Sequence, residues 1–144
     1  MTQISILGCG WLGFPLAKRF IEEGYSVNGS TTSESKLSVL ENAGINPFLV
    51  VLESESISES VNAFLSESEI LIIDIPPKLR GNNAVTANPS QKVFVEKIET
   101  LIPFIEKSGI KKVIFVSSTS VYGDENGNIT EETIPNPETE SGKQ

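Results

Sequence analysis

The chain has no histidine, one cysteine (Cys9), one tryptophan (Trp11) and only 11 lysines and arginines among its 144 residues. Without histidine and with a single thiol, disulfides, zinc sites of the cysteine–histidine kind and histidine-based nucleophile triads are excluded. Set against 19 aspartates and glutamates, the few basic residues leave a formal charge of −8. Nucleic acid and anionic membranes bind clustered lysine and arginine, so neither is an expected partner, and the acidity reads as a solvated surface. No apolar run approaches the length that spans a bilayer. The opening Met1-Thr2-Gln3 lacks the basic residues and long apolar stretch of a signal peptide, so a cytoplasmic location is expected.

What is present has ordinary globular composition, 38% hydrophobic and 21% charged, enough for one domain with a single core. Ile4-Ser5-Ile6-Leu7 reads as a strand ended by Gly8. Leu12, Leu16, Ala17 and Phe20 then recur at helical spacing over 11–23, with Pro15 in the first turn and Gly24 at the end. A strand over 25–28, a helix capped by Ser33 that buries Leu37 and Leu40, and a strand over 48–52 follow. A serine- and glutamate-rich helix over 57–66 buries Val61, Phe64 and Leu65. The apolar run 70–75 fits a strand covered on both faces and stops at Pro76-Pro77. Residues 78–87 read as a loop, in which Lys78 and Arg80 are either solvated, the favoured reading, or help to hold an anionic ligand. Asn88 and Pro89 start a helix lined by Phe94, Ile98, Leu101, Ile102 and Ile105 and bent at Pro103. Val113-Ile114-Phe115-Val116 is a fifth, buried strand. The alternation predicts an α/β fold: a doubly wound parallel sheet with right-handed crossovers, the Rossmann NAD(P)-binding fold.

Gly8-Cys9-Gly10-Trp11-Leu12-Gly13 matches the G-x-G-x-x-G dinucleotide fingerprint and sits after the first strand, opening the first helix. Gly8 permits the tight turn, Gly10 lets a diphosphate reach the backbone, and Gly13 lets helix and strand pack closely. The helix N-terminus offers N–H groups and a favourable field to phosphate. Cys9 is expected to supply a backbone N–H and small bulk, and Trp11 to pack beside the turn; with Leu12 they complete the candidate cofactor turn. The alternative is a plain strand–helix turn. NAD binders place an acid at the end of the second strand, on the ribose 2′-hydroxyl. Here Asn28-Gly29-Ser30-Thr31-Thr32-Ser33 holds no acid before Glu34. Ser30, Thr31, Thr32 and Lys36 suit a 2′-phosphate, which favours NADP(H) over NAD(H). Pro76 and Ser117, at the carboxyl ends of the fourth and fifth strands, join the candidate cofactor contacts. Asp74, in an apolar strand, either finds a partner in the interior or marks the ligand-binding edge.

The glycine turn, the apolar fourth strand and Ser117-Ser118-Thr119-Ser120-Val121-Tyr122-Gly123 together resemble the extended short-chain dehydrogenase/reductase superfamily, the nucleotide-sugar epimerases and dehydratases. The resemblance covers essentially the whole chain in element order, and Ser-Ser-x-x-Val-Tyr-Gly is its most specific part. It implies a nicotinamide cofactor, a small-molecule substrate and, at Ser118, the hydroxyl that holds and polarises the substrate oxygen. It also implies a base, the tyrosine of a downstream Tyr-x-x-x-Lys. Ser141 stands at that position, and Lys143 follows it by two residues instead of four. A serine hydroxyl is far less acidic than a phenol of pKa about 10 and moves protons poorly without an activating base. Ser118 and Ser141 are the candidate catalytic positions, and Tyr122 is expected as a packed tyrosine with its hydroxyl bonded. Two further departures are Leu7 at the first glycine of the usual G-x-x-G-x-x-G, and Pro76-Pro77 where an alanine-rich turn is usual. The pattern is similar to the atypical branch that lacks the catalytic tyrosine.

Residues 1–144 are therefore expected to form one NAD(P)-binding Rossmann domain, ending before the substrate-binding region that the resemblance implies. In full-length relatives the unfinished last helix often joins a helix-bundle dimer, so a homodimer is compatible with the resemblance. Three readings stay open. The first is an epimerase/dehydratase-like or reductase-like enzyme acting on a nucleotide sugar or small carbonyl compound, favoured by Ser118. The second is a non-catalytic dinucleotide-binding sensor or regulatory module, favoured by Ser141. The third is a β-hydroxyacid dehydrogenase-type Rossmann domain, to which Leu12-Gly13-Phe14-Pro15-Leu16-Ala17 is similar; Val-Tyr-Gly is not its signature, which ranks it last.

Overall fold

The computed structural model describes residues 1–77, 93–123 and 127–144. Five parallel strands, β1 (Gln3–Leu7), β2 (Ser26–Thr31), β3 (Asn46–Leu49), β4 (Ser68–Ile73) and β5 (Lys112–Phe115), form one sheet in the order β3-β2-β1-β4-β5. The helices are α1 (Gly13–Glu22), α2 (Leu37–Asn42), α3 (Val61–Leu65), α4 (Val93–Lys107) and α5 (Glu140–Lys143). This is the doubly wound α/β sheet that the alternation predicts. Among the described residues, no helix is long and apolar enough to cross a membrane.

Alternation along β1 and β4 sorts the core onto the two faces of the sheet. Ile4, Ile6 and Ile72 pack with Ala17 of α1 and Leu40 of α2. Leu7, Leu71 and Ile73 pack with Phe64 of α3 and Leu101 of α4. Ser5 and Asn28 are buried among them, which is costly unless their polar atoms are bonded. The Phe64 carbonyl meets both needs: it accepts from the Ser5 hydroxyl at 2.6 Å and from the Asn28 amide at 2.9 Å. With its proton spent there, Ser5 accepts from the Ser68 hydroxyl at 2.7 Å.

The chain winds outward from β1 through β2 to β3, then crosses to β4 and β5 on the other side. The direction reverses between β1 and β4, and ligands of such sheets bind at the carboxyl ends there. Leu7 lies opposite Ile73, and the Asp74 N–H donates to the Leu7 carbonyl at 2.9 Å. Gly8 and Asp74 thus leave the sheet side by side.

Several expectations shift. β2 runs on to Thr31 instead of stopping at Asn28, because Asn28 to Thr31 pair with Asn46 to Leu49. Pro47 is accommodated in β3 because that strand is the sheet's edge. The expected helix over 57–66 shrinks to α3: Ile57 bridges back to Leu52, and the hydroxyls of Ser58 and Ser60 bond the main chain of Val51 and Leu49. Side-chain bonds of this kind compete with helix formation. Ser33 makes no capping bond; a 3-10 turn, Glu34–Lys36, precedes α2. Val113, Ile114 and Phe115 of β5, expected in the interior, are 46%, 40% and 49% exposed, since none of them packs into either core cluster. Lys78, Arg80, Asn88 and Pro89 lie outside the described residues.

The described residues fall into two compact units. Met1–Ile75 with Glu96–Val116 holds the sheet and the glycine turn. The described parts of Pro76–Val95 and Ser117–Gln144 hold the serine segment.

Candidate functional site

In the first unit, the turn after β1 is built by close approaches. Gly8 has φ +100°, and a Cβ there would lie 2.4 Å from the Asp74 carbonyl oxygen, so only glycine fits. A Cβ at Gly13 would lie 2.1 Å from the Gly8 carbonyl oxygen, which is the close helix–strand packing expected of the third glycine. Gly10 is different. Its φ lies outside the left-handed region, and a Cβ there would meet nothing within 4 Å. Nothing in the described chain requires glycine at that position. The N–H groups of Gly10, Trp11 and Leu12 have no hydrogen-bond partner among the described residues.

The turn is held from β2. Gly8 N–H donates to the Ser30 hydroxyl at 2.9 Å, and Cys9 N–H donates to the Ser30 carbonyl at 2.8 Å. Ser30, expected to tolerate a ribose phosphate, is instead 2% exposed and turned into the structure as a support of the turn. Thr31 is also buried, its hydroxyl accepting from Ser33 N–H at 3.2 Å. Thr32 and Lys36 are exposed. The Cys9 side chain is buried against Gly29, where a Cβ would lie 2.7 Å from its sulfur. Burial pushes its thiol up to about 11, so it is protonated and unreactive at neutral pH. Trp11 does not pack beside the turn as expected. It is 94% exposed, because the tight turn carries it away from both core clusters.

The Asp74 carboxylate lies against the start of α1. That helix has no side-chain cap at Leu12 and no acid in its first turn. The Asp74 carboxylate comes from the end of β4, its Oδ2 3.2 Å from where a Gly13 Cβ would be. Burial raises its pKa, and the Gly13 N–H directed at it opposes that rise. The sequence signal for this contact was a lone acid closing an apolar strand next to β1; its meeting with α1 needed the strand order.

In the second unit, Ser118 caps a 3-10 turn, Thr119–Tyr122. Its hydroxyl oxygen accepts from Ser120 N–H at 3.2 Å and from the Ser120 hydroxyl at 2.9 Å. Both acceptor positions are taken, which leaves the Ser118 proton to be donated elsewhere. Ser117 and Ser118 are exposed, as is Pro76. Asn136 N–H donates to the Val121 carbonyl at 2.8 Å, and a Cβ at Gly123 would lie 2.1 Å from the Asn136 carbonyl oxygen. The short helix α5, which carries Ser141, packs through Gly142, where a Cβ would lie 2.6 Å from the Ser120 carbonyl oxygen. The Ser118 segment and the short helix that carries Ser141 thus meet at Ser120 and Gly142. Tyr122 is half-buried as expected, but its hydroxyl has no hydrogen-bond partner among the described residues.

A parallel sheet ordered 3-2-1-4-5, with this glycine turn closing its first strand, defines a Rossmann-type dinucleotide-binding α/β protein. Residues 4–142 match the model of the NAD dependent epimerase/dehydratase family, and the chain belongs to that family. It is 33% identical to Protein YeeZ of Escherichia coli (strain K12) over 144 residues, which cover 99% of this chain and 50% of YeeZ. Among solved structures it is similar to UDP-glucose-4-epimerase from Stenotrophomonas maltophila, with a TM-score of 0.75 at 18% identity over 99% of this chain and 45% of that one. It is also similar to UDP-N-acetylglucosamine 4-epimerase from Bacillus cereus, with a TM-score of 0.72 at 14% identity over 99% of this chain and 48% of that one. At such identities the two structures show the fold. The chain spans about half the length of the curated relatives it matches.

Proposed function

We propose that this chain binds a nicotinamide dinucleotide at the glycine turn, as part of an epimerase/dehydratase-like protein acting on a nucleotide sugar or small carbonyl substrate. The observation that carries the reading is Gly10: a glycine with no steric neighbour, beside three N–H groups without partners, at the N-terminus of α1. These residues fit the group. A diphosphate approaching the bare backbone at Gly10 would meet the N–H groups of Gly10, Trp11 and Leu12 and the favourable field of the helix. When bound, the dinucleotide supplies hydride transfer. The Stenotrophomonas epimerase was solved with bound NAD, which supports a nicotinamide cofactor. The preference for NADP(H) rests on the end of β2, where Thr32 and Lys36 are exposed and no acid precedes Glu34.

Ser118 holds the substrate oxygen in this reading. Ser120 fills its acceptor side, so its O–H is set to donate. Ser141, at the position of the family's tyrosine, has no phenol to offer, and proton transfer in the whole protein falls to another group. That same replacement favours the second reading, a dinucleotide-binding module without chemistry.

Thermal unfolding with NADP(H) and NAD(H) tests the binding. Ligand at a hundredfold its Kd should add about 2.7 kcal/mol of stability. No shift with any of these nucleotides overturns the proposal, and a larger shift with NAD(H) reverses the cofactor preference. Turnover of sugar nucleotides that Ser118→Ala abolishes, with cofactor affinity retained, separates the enzyme from the module.

A further inference from the structure

We propose that Asp74 is a specificity-determining residue of the glycine turn: its carboxylate, set on α1 from β4, holds down the affinity of the helix N-terminus for phosphate-bearing ligands. The inference rests on the dinucleotide reading above and adds a residue that the glycine fingerprint does not contain.

A helix N-terminus favours negative charge, and most helices meet that need with a cap or an acid in the first turn. α1 has neither. The charge arrives from another strand instead. Asp74 is anchored by its N–H on the Leu7 carbonyl at 2.9 Å, and its own carbonyl lies against Gly8, so its main chain is fixed beside the turn. Its Oδ2 lies beside Gly13, the last residue of the motif, 3.2 Å from where a Cβ would be. The N–H groups of Gly10, Trp11 and Leu12 remain for a ligand. A diphosphate docking on them therefore enters a field that one carboxylate has already partly neutralised, and like charges within a few ångströms repel. The geometry assigns Asp74 two effects of opposite sign. As a polar group beside Gly13 it packs against the first turn of α1. As a charge it penalises the diphosphate. A neutral polar residue there keeps the first effect and removes the second.

The test is titration of the single tryptophan's fluorescence with NAD+, ADP and adenosine, in the wild type and in Asp74→Asn. Asp74→Asn is expected to bind NAD+ and ADP about three- to tenfold more tightly at low salt, with adenosine affinity unchanged. The gain should shrink as salt screens the repulsion. A variant that binds ADP no more tightly than the wild type overturns the proposal, and so does adenosine affinity that rises in step with ADP, since that reports a change of shape. If Asp74→Asn does not fold, Asp74→Ser, also neutral and able to accept, decides by the same criteria. Failure of wild type and variant alike to bind NAD+, NADP+ or ADP removes the dinucleotide reading and this proposal with it. Binding by both with equal affinity removes this proposal alone.

Discussion

Gly8 N–H donates to the Ser30 hydroxyl at 2.9 Å, so the turn that closes β1 is held by the buried end of β2. Gly8 and Ser30 are 22 residues apart in the chain, and the bond spans two neighbouring strands. Ser30→Ala leaves the Gly8 N–H without its partner in a part-buried setting. The expected cost is about 1–2 kcal/mol of stability in urea unfolding. Dinucleotide affinity should fall with it, because the turn loses its fixed shape; unchanged affinity would mean the Cys9–Ser30 main-chain bond is sufficient alone.

Cys9 makes the protein sensitive to alkali. Its thiol is raised from 9.0 to about 11 in the folded state, mainly by burial. A folded pKa above the unfolded one means that the folded state binds the proton more tightly. Stability is therefore complete below about pH 9 and falls as the pH rises through about 11. The loss is on the order of 2–3 kcal/mol. Unfolding free energies measured from pH 8 to 11.5 on the wild type and Cys9→Ala isolate it, since the two proteins differ only at that side chain. Equal slopes in the two proteins would show that Cys9 is not the group responsible.

Lys36 is the one basic side chain in the 3-10 turn that follows β2, and it is exposed. Lys36→Ala is expected to weaken NADP(H) about two- to fivefold, the range of a solvent-screened charge pair. NAD(H), lacking the 2′-phosphate, should bind as before. A parallel loss for both cofactors, read by calorimetry, would place Lys36 elsewhere than at the 2′-phosphate.

The alternation of strands and helices and the parts played by Gly8 and Gly13 were legible because each depends on local signals: apolar runs, helical spacing and glycines at set offsets. The end of β2 was not. Asn28, Ser30 and Thr31 look like a polar loop, and they lie in a buried strand only because Phe64 O, Gly8 N–H and Ser33 N–H meet their side chains. Two of those partners are distant in sequence. Trp11 misled for a related reason, since an indole suggests packing but the turn geometry decides where it points. The helix expected over 57–66 is shorter because periodicity carries no record of Ser58 and Ser60 bonding the preceding strand. At the candidate site, the serine cluster was readable as a segment. That Ser120 fills both acceptor positions of Ser118 follows from the 3-10 turn that folds Ser120 back on it, which no sequence pattern records.

If the open space at Gly10 belongs to a dinucleotide, Gly10→Ala fills it without disturbing the fold. A Cβ there meets nothing within 4 Å, so the folded protein should be as stable as the wild type or gain about 0.4–1 kcal/mol. NADP(H) binding should weaken at least about tenfold, or 1.4 kcal/mol. Calorimetric titration of a variant with wild-type thermal stability gives both numbers. Undiminished NADP(H) affinity in that variant would show that no dinucleotide occupies the space at Gly10.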